Sequence, residues 1–189
     1  MKKIRVGILP LILPLALAAL ACSIFVGGPA YPETAIPVST EELGNVEKNF
    51  TDAATAAADS GIMTVSITES QITTIVAQKL AEQTDPFITE PQVYLRDGQI
   101  QIYGKAIQGS LQANVRIILT ASIDESGKPV ITVKSVDFGP LPAPESMNKA
   151  VSKMVDEAFT GALGPAATGF RLQSITIADG IMTLTGRIK

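Results

Sequence analysis

The side chains that most often carry covalent or acid–base chemistry are scarce or badly spaced in this sequence. Its 189 residues include 0 His, 0 Trp and 1 Cys. Without histidine there is no imidazole base, no Ser–His pair and no imidazole metal ligand. A single cysteine excludes an internal disulfide and a Cys-rich zinc site. The carboxylates of Glu41-Glu42 and Asp156-Glu157 are adjacent on helical patterns, so each pair diverges by about 100° instead of converging on a substrate. Gly109-Ser110 is not a nucleophile elbow, which needs Gly-x-Ser-x-Gly. Gly127-Lys128-Pro129 lacks the upstream glycine and the Ser/Thr of a phosphate loop. No Asp-x-Asp-x-Asp run points to calcium. Asp97 and Asp179 each precede a glycine and read as turn residues. The sequence therefore predicts no catalytic residue, no metal site and no cofactor, and a binding or structural protein rather than an enzyme.

The one residue whose position implies a chemistry is Cys22. Lys2, Lys3 and Arg5 form a short basic start, and Val6 to Leu20 is an apolar run interrupted by Pro10 and Pro14. That run is too short for a membrane-spanning helix, which needs about 20 residues. It fits the three-part pattern of an export signal. The stretch Ala18-Ala19-Leu20-Ala21-Cys22-Ser23 resembles a bacterial lipobox, in a relaxed form with Ala19 at the usual leucine place and Leu20 one step later. On this reading residues 1–21 are a lipoprotein signal peptide. Cys22 becomes a lipidated first residue, holding the protein to a membrane through a diacylglycerol anchor that incorporates palmitate. The protein would then be exported, on the outer face of the cytoplasmic membrane or in the cell envelope. The alternative is an ordinary secretory signal cut near Ala21, leaving Cys22 idle.

Charge bounds the partners. The whole chain has 15 Lys+Arg and 18 Asp+Glu. Removal of residues 1–21 takes three basic residues and moves the net charge from −3 to −6. No basic run follows residue 5, so there is no electrostatic footprint for nucleic acid and none for anionic lipid surfaces.

The remaining elements define how anything could be bound. Residues 22–40 are rich in Gly and Pro and read as a tether, followed by one domain over 41–189. Ser39 and Glu42 can form a capping box for a helix over 41–60, with Leu43, Val46, Phe50, Ala53, Ala54 and Ala57 on one face. Met63 to Thr68 alternates as a strand. Thr68 and Gln71 then form a second capping box for a helix to about Thr84, with an apolar stripe of Ile72, Ile75, Val76 and Leu80. Val93 and Leu95 before Asp97-Gly98, and Ile100 and Ile102 after it, predict a hairpin. A similar hairpin surrounds Asp179-Gly180, 82 positions later. A helix from Pro144-Glu145 to Gly164-Pro165 precedes it, with Met147, Val151, Met154, Val155, Ala158, Phe159 and Ala162 on its stripe. Residues 61–105 and 144–189 thus read as two similar helix–hairpin units. Between them Leu111, Ala113, Val115, Ile117, Leu119, Ala121 and Ile123 alternate along an unusually long strand, and Val130 to Phe138 returns.

Alternation with a polar outer face marks an antiparallel sheet buried on one side. The fold class is α+β: a long curved sheet of six or seven strands wrapped on two amphipathic helices, plus the N-terminal helix. An apolar groove between helices and sheet suits an acyl chain. Its candidate lining is Ile72, Ile75, Val76, Leu80, Val115, Ile117, Leu119, Met147, Val151, Met154, Val155 and Phe159.

The motifs at Thr68–Gln71, Pro91–Gly104, Gly139–Pro144 and Asp179-Gly180, in that order, resemble those of bacterial LmeA-like lipoproteins, a domain of unknown function placed with the tubular lipid-binding (TULIP-like) proteins. The resemblance spans about residues 61–189. It implies a TULIP-like fold that binds phospholipid or another lipid such as a fatty acid, and it supplies no catalytic residue. Two functions are consistent with these observations. One is an anchored lipoprotein that binds a lipid or other apolar ligand between helices and sheet. The other is a structural or protein-interaction domain of the cell envelope with a dry core.

Overall fold

The computed structural model describes residues 24–84, 86, 88–140 and 170–188. Within them are two helices and eight strands: β1 (Ile24–Phe25), α1 (Thr40–Ala56), β2 (Ile62–Thr68), α2 (Glu69–Ala81), β3 (Thr89–Arg96), β4 (Gln99–Gln108), β5 (Leu111–Ile123), β6 (Pro129–Asp137), β7 (Phe170–Ala178) and β8 (Ile181–Ile188). The α+β class is as the periodicities predict. The helix predicted over Pro144–Gly164 lies outside the described residues.

The strands form two hydrogen-bonded sheets rather than one. In the first, the order β5-β4-β3 is antiparallel, and the outer edge of β5 is shared by β6 and the short parallel β1. The second is β2-β8-β7, antiparallel throughout. α1 packs on β2 and α2, and α2 packs on β3 and β2. Strand β5 has 13 residues, about 44 Å at the usual rise. Its buried residues Ala113, Val115, Ile117 and Leu119 follow the predicted alternation.

Sheet separation arises where the two Asp-Gly turns meet. Both are built alike: Asp97 and Asp179 have φ of 54° and 51°, and Gly98 and Gly180 have 73° and 81°. Two consecutive positive φ values make a type I′ turn, whose twist matches that of the flanking strands. The hairpins share two further features at the same offset. Each has a bulge, between Thr89 and Gln92 in the first and between Leu172 and Ser174 in the second. Each has a glycine against that bulge. A Cβ on Gly104 would sit 3.2 Å from the Thr89 carbonyl oxygen, and one on Gly186 would overlap that of Arg171. Such bulges bend and twist a strand locally, which curls both sheets.

Helix caps show where local sequence is decisive and where packing intervenes. At α2 the full capping box forms: Thr68 N–H donates to Gln71 Oε1 at 3.0 Å, and Gln71 N–H to Thr68 Oγ1 at 3.3 Å. At α1 only half of the expected box is present. Ser39 Oγ accepts from Glu41 N–H at 3.2 Å. The Ser39 N–H donates instead to Thr74 Oγ1 on α2, at 3.3 Å, so tertiary packing takes the donor that Glu42 was expected to satisfy. The helix also ends at Ala56, four residues before the expected Ser60, and Ala54 of the predicted stripe is exposed.

Residues 24–39, expected as a tether, lie along the first sheet as a strap. Ile24 N–H donates to Ser110 O at 2.6 Å, Val26 N–H to Gln112 O at 2.8 Å, and Asn114 N–H to Gly27 O at 2.9 Å. Farther along, Tyr31 Oη donates to Glu90 O, Tyr94 Oη to Thr34 O, and Ile36 N–H to Gln92 Oε1. Gly28 is required here, because a Cβ would overlap the Asn114 backbone and its φ is +120°. Gly and Pro in this segment therefore permit close docking rather than slack.

Candidate functional site

Among the described residues, four buried polar side chains hold elements together, while the buried Nε of Arg116 on β5 has no hydrogen-bond partner. Gln71, Thr73, Thr74 and Gln92 are buried. Gln71 caps its own helix. Thr73 Oγ1 accepts from Val93 N–H at 3.0 Å, while Thr74 and Gln92 receive the strap and α1 as described. A buried hydroxyl paired to backbone is satisfied, so none of these is free to grip a ligand headgroup. Among the described residues no group of three or more His, Cys, Asp or Glu side chains could hold a metal ion.

The junction of the two sheets is charged. Glu69, at the start of α2, accepts from Leu95 N–H at 2.7 Å and from the Arg96 guanidinium. Its own N–H donates to Gly180 O at 3.2 Å. One acidic residue in the first helical turn, favoured there by the helix dipole, thus ties together α2 and both hairpins. This arrangement fixes geometry; it presents no unpaired acid to a substrate.

What the interior does offer is apolar surface of two kinds. One buried cluster spans both sheets and α2, and includes Val65, Ile67, Val76, Leu80, Leu95, Ile117 and Leu119. Around it are apolar residues that are only half-buried: Ile72 on α2, Ala121 and Ile123 on β5, Ile131 and Val133 on β6, and Phe170 and Ile175 on β7. Register places Ala121 opposite Ile131 and Leu119 opposite Val133, so these share the inner face of the β5–β6 pair. The start of β7 is fastened to the same pair, because Leu172 N–H donates to Gly127 O at 3.0 Å.

The predicted lining residues divide accordingly. Val76, Leu80, Val115, Ile117 and Leu119 are all buried, Ile117 at 0 % exposure. Ile72 and Ile75 are half-exposed. The buried face of α2 is thus rotated from the expected stripe: Val76 and Leu80 are buried with Thr73, which faces β3, and Thr74, which faces the start of α1, while Ile72 and Ile75 are half-buried. Met147, Val151, Met154, Val155 and Phe159 lie outside the described residues, as does Cys22. The half-open residues of β6 and β7 were not among the predicted lining. Alternation of Ile131 and Val133 with Thr132 and Lys134 carries the signal for an inner face there; nothing local distinguishes half-open from closed.

A family model described as LmeA-like phospholipid-binding matches residues 33–187. The chain belongs to this family. The match begins at Glu33, so the LmeA-like region takes in the last seven residues of the strap and all of α1, beyond the 61–189 over which the motifs resemble it. No curated protein matches the chain. A solved structure of a lipopolysaccharide binding protein matches at 13 % identity with a TM-score of 0.29, covering 68 % of this chain and 49 % of that one. This LmeA-like chain therefore spans about half the length of that protein.

Proposed function

We propose that this protein binds a phospholipid, with its acyl chains against the half-open apolar wall formed by Ile72, Ala121, Ile123, Ile131, Val133, Phe170 and Ile175. The observation that carries this reading is the half-buried apolar surface around the core, most of it on β5, β6 and β7. Seven apolar side chains packed on a core yet left half-exposed are what an acyl chain would cover, at roughly 25 cal/mol per Å² of apolar surface removed from water. Membership of a family described as phospholipid-binding supports the same ligand class. The polar interior supports it by elimination, since its buried hydroxyls and amides are already paired. The protein works without catalysis, and its fold is a TULIP-like α+β domain. The two helix–hairpin units derive from one duplicated unit, which the matching turns, bulges and glycines favour. Cys22 carries a diacylglycerol anchor and places the domain on the outer face of the cytoplasmic membrane or in the cell envelope.

The full burial of Val115, Ile117 and Leu119 favours a second reading, a structural envelope domain with a dry core. Native mass spectrometry of the protein purified from bacterial membranes separates the two. The lipid reading predicts a bound species at phospholipid mass that exchanges for added phosphatidylglycerol or phosphatidylethanolamine. Apo protein alone, at saturating lipid, would establish the dry core. Anchoring is tested separately: Cys22→Ser should abolish labelling by radioactive palmitate and release the protein from membranes, and unchanged association would refute it.

A further inference from the structure

We propose that the uncharged end of the first sheet, carried by Ile24, Phe25 and Ile107, inserts into the interface of a zwitterionic phospholipid bilayer. These three are the most exposed large apolar side chains among the described residues, at 58, 58 and 57 %. They come together from distant parts of the sequence. Phe25 and Ile107 both pair with Gln112, one on each side of β5, and therefore form one row across three strands. Ile24 pairs with Leu111 in the adjacent row, whose side chains point to the opposite face. Each face of this end thus carries an exposed apolar side chain, with Gln112 between Phe25 and Ile107 in their row, and the end lies opposite the Asp97-Gly98 turn along β4.

Charge sharpens the assignment. No charged residue occurs from Val6 to Pro32 or from Ala106 to Val115, the two segments that build this end. Apart from Val38, which belongs to no strand row, the other exposed apolar residues lie close to charge. Val130 lies between Lys128 and Lys134, Ile181 follows Asp179, and Ile62 and Ile188 flank Arg187 in register or sequence. Exposed apolar patches mark sites of association. The nearest cation, Lys105, is paired with Glu90, so the patch enters a bilayer through buried area rather than through attraction to anionic lipid.

The course of the chain names the occupant. Cys22, the proposed anchor, lies two positions before Ile24. Residues 24–27 are fixed to β5 and to the turn before it by the three backbone hydrogen bonds of the strap. The segment that leads to the membrane is therefore joined to the fold at the very end that exposes Phe25 and Ile107. Docking this end would orient β5 away from the bilayer surface. The inference is independent of whether a lipid occupies the interior, and its test can fail while that reading stands.

The chain has 0 Trp, so a single introduced tryptophan reports its own surroundings. Full-length Ile107→Trp and Ile181→Trp proteins are reconstituted in phosphatidylcholine vesicles with and without brominated phosphatidylcholine, after circular dichroism confirms each fold. Ile107 is more than eighty residues from the anchor in sequence, so its depth reports docking rather than attachment. Insertion predicts a blue-shifted Ile107→Trp emission quenched about twofold or more by bromolipid, with Ile181→Trp unaffected, and no change on adding about 0.5 M salt or anionic phosphatidylglycerol. An unquenched Ile107→Trp, or equal quenching at Ile181→Trp, would overturn the proposal. Should Ile107→Trp fail to fold, Ile107→Asp with Phe25→Trp serves in its place: the charge should reduce quenching at Phe25→Trp, and undiminished quenching contradicts insertion.

Discussion

The N–H of Gly180 donates to the carbonyl oxygen of Leu95 at 3.1 Å, joining the turn of one hairpin to the strand of the other. Its counterpart, Gly98 N–H to Ile177 O, has the same length and joins the positions 82 residues removed. The two bonds exchange donor and acceptor between the hairpins, so the junction has the character of a local two-fold. A Cβ on Gly98 meets nothing within 4 Å, whereas one on Gly180 would approach Arg96 Nη1 at 3.3 Å and Glu69 Cδ at 3.4 Å. Gly98→Ala should therefore cost about 1 kcal/mol of backbone strain, and Gly180→Ala more than that. Urea denaturation of the two variants gives the order directly.

Gly186 is more demanding. Its Cβ would collide with the Arg171 backbone at the β7 bulge, which cannot swing aside as a flexible side chain can. Gly186→Ala should lose about 2 kcal/mol or more, in the range of overpacked sites, and shift amide resonances of β7 and β8 together. A loss below that of Gly98→Ala would show that the bulge relaxes freely.

Glu69 predicts a different signature. It accepts a charge-assisted bond from Leu95 N–H in a position where its side chain is only 16 % exposed. Glu69→Ala leaves that buried N–H without a partner, and should cost about 2 kcal/mol. Glu69→Gln keeps an acceptor for Leu95 while losing the pairing with Arg96, and should cost roughly half as much. Thermal unfolding of both variants checks the ratio.

The strap should respond to alkaline pH through Tyr31. Burial first, then Glu90 and Tyr94, push its phenol from 10.0 up to about 12. A folded-state value above the unfolded one means that the protonated phenol stabilises the fold fully below pH 10, and that this contribution disappears as pH rises through about 12. Tyr31→Phe should therefore flatten part of the alkaline fall in stability relative to the parent, because the remaining titrations are common to both. Ultraviolet titration of the tyrosines should lose one high-pH component in the variant. Identical alkaline profiles would contradict the strap geometry.

Core and wall can be separated by paired substitutions. Ile117 is fully buried, so Ile117→Ala should cost about 2–5 kcal/mol through lost burial and a cavity. Ile131 is half-exposed on the same inner face, so Ile131→Asp should change stability by about 1 kcal/mol while sharply reducing lipid bound per protein. Equal lipid content in Ile131→Asp would remove β6 from the proposed site.

Much of this architecture was legible because it rests on local chemistry. Strand β5 could be bounded from seven alternating apolar residues, the I′ turns from two Asp-Gly pairs, and the α2 cap from Thr68 and Gln71. Three features were not legible because they depend on distant partners. Ser39 N–H finds Thr74 rather than Glu42 only because α1 lies beside α2. A Gly/Pro segment that reads as a tether becomes a strap only when Asn114 and Gln92 are in place to receive it. One predicted sheet becomes two because the hairpins meet through turns, not through a shared ladder. Among the lining residues, periodicity located the inner face at Val115, Ile117 and Leu119 but carried no measure of how deeply each is covered. Depth follows from tertiary cover, which alternation does not encode, so the half-open residues lie farther along β5 than the predicted groove.

The central claim is that acyl chains occupy this wall. Its most direct test is photocrosslinking of the full chain with a phospholipid bearing a diazirine midway along one acyl chain, followed by mass spectrometry of the labelled peptides. Adducts are expected within residues 119–133 and 170–177, lost on competition with unlabelled phospholipid. Labelling confined to Ile24, Phe25 and Ile107, with these interior peptides unmodified, would contradict it.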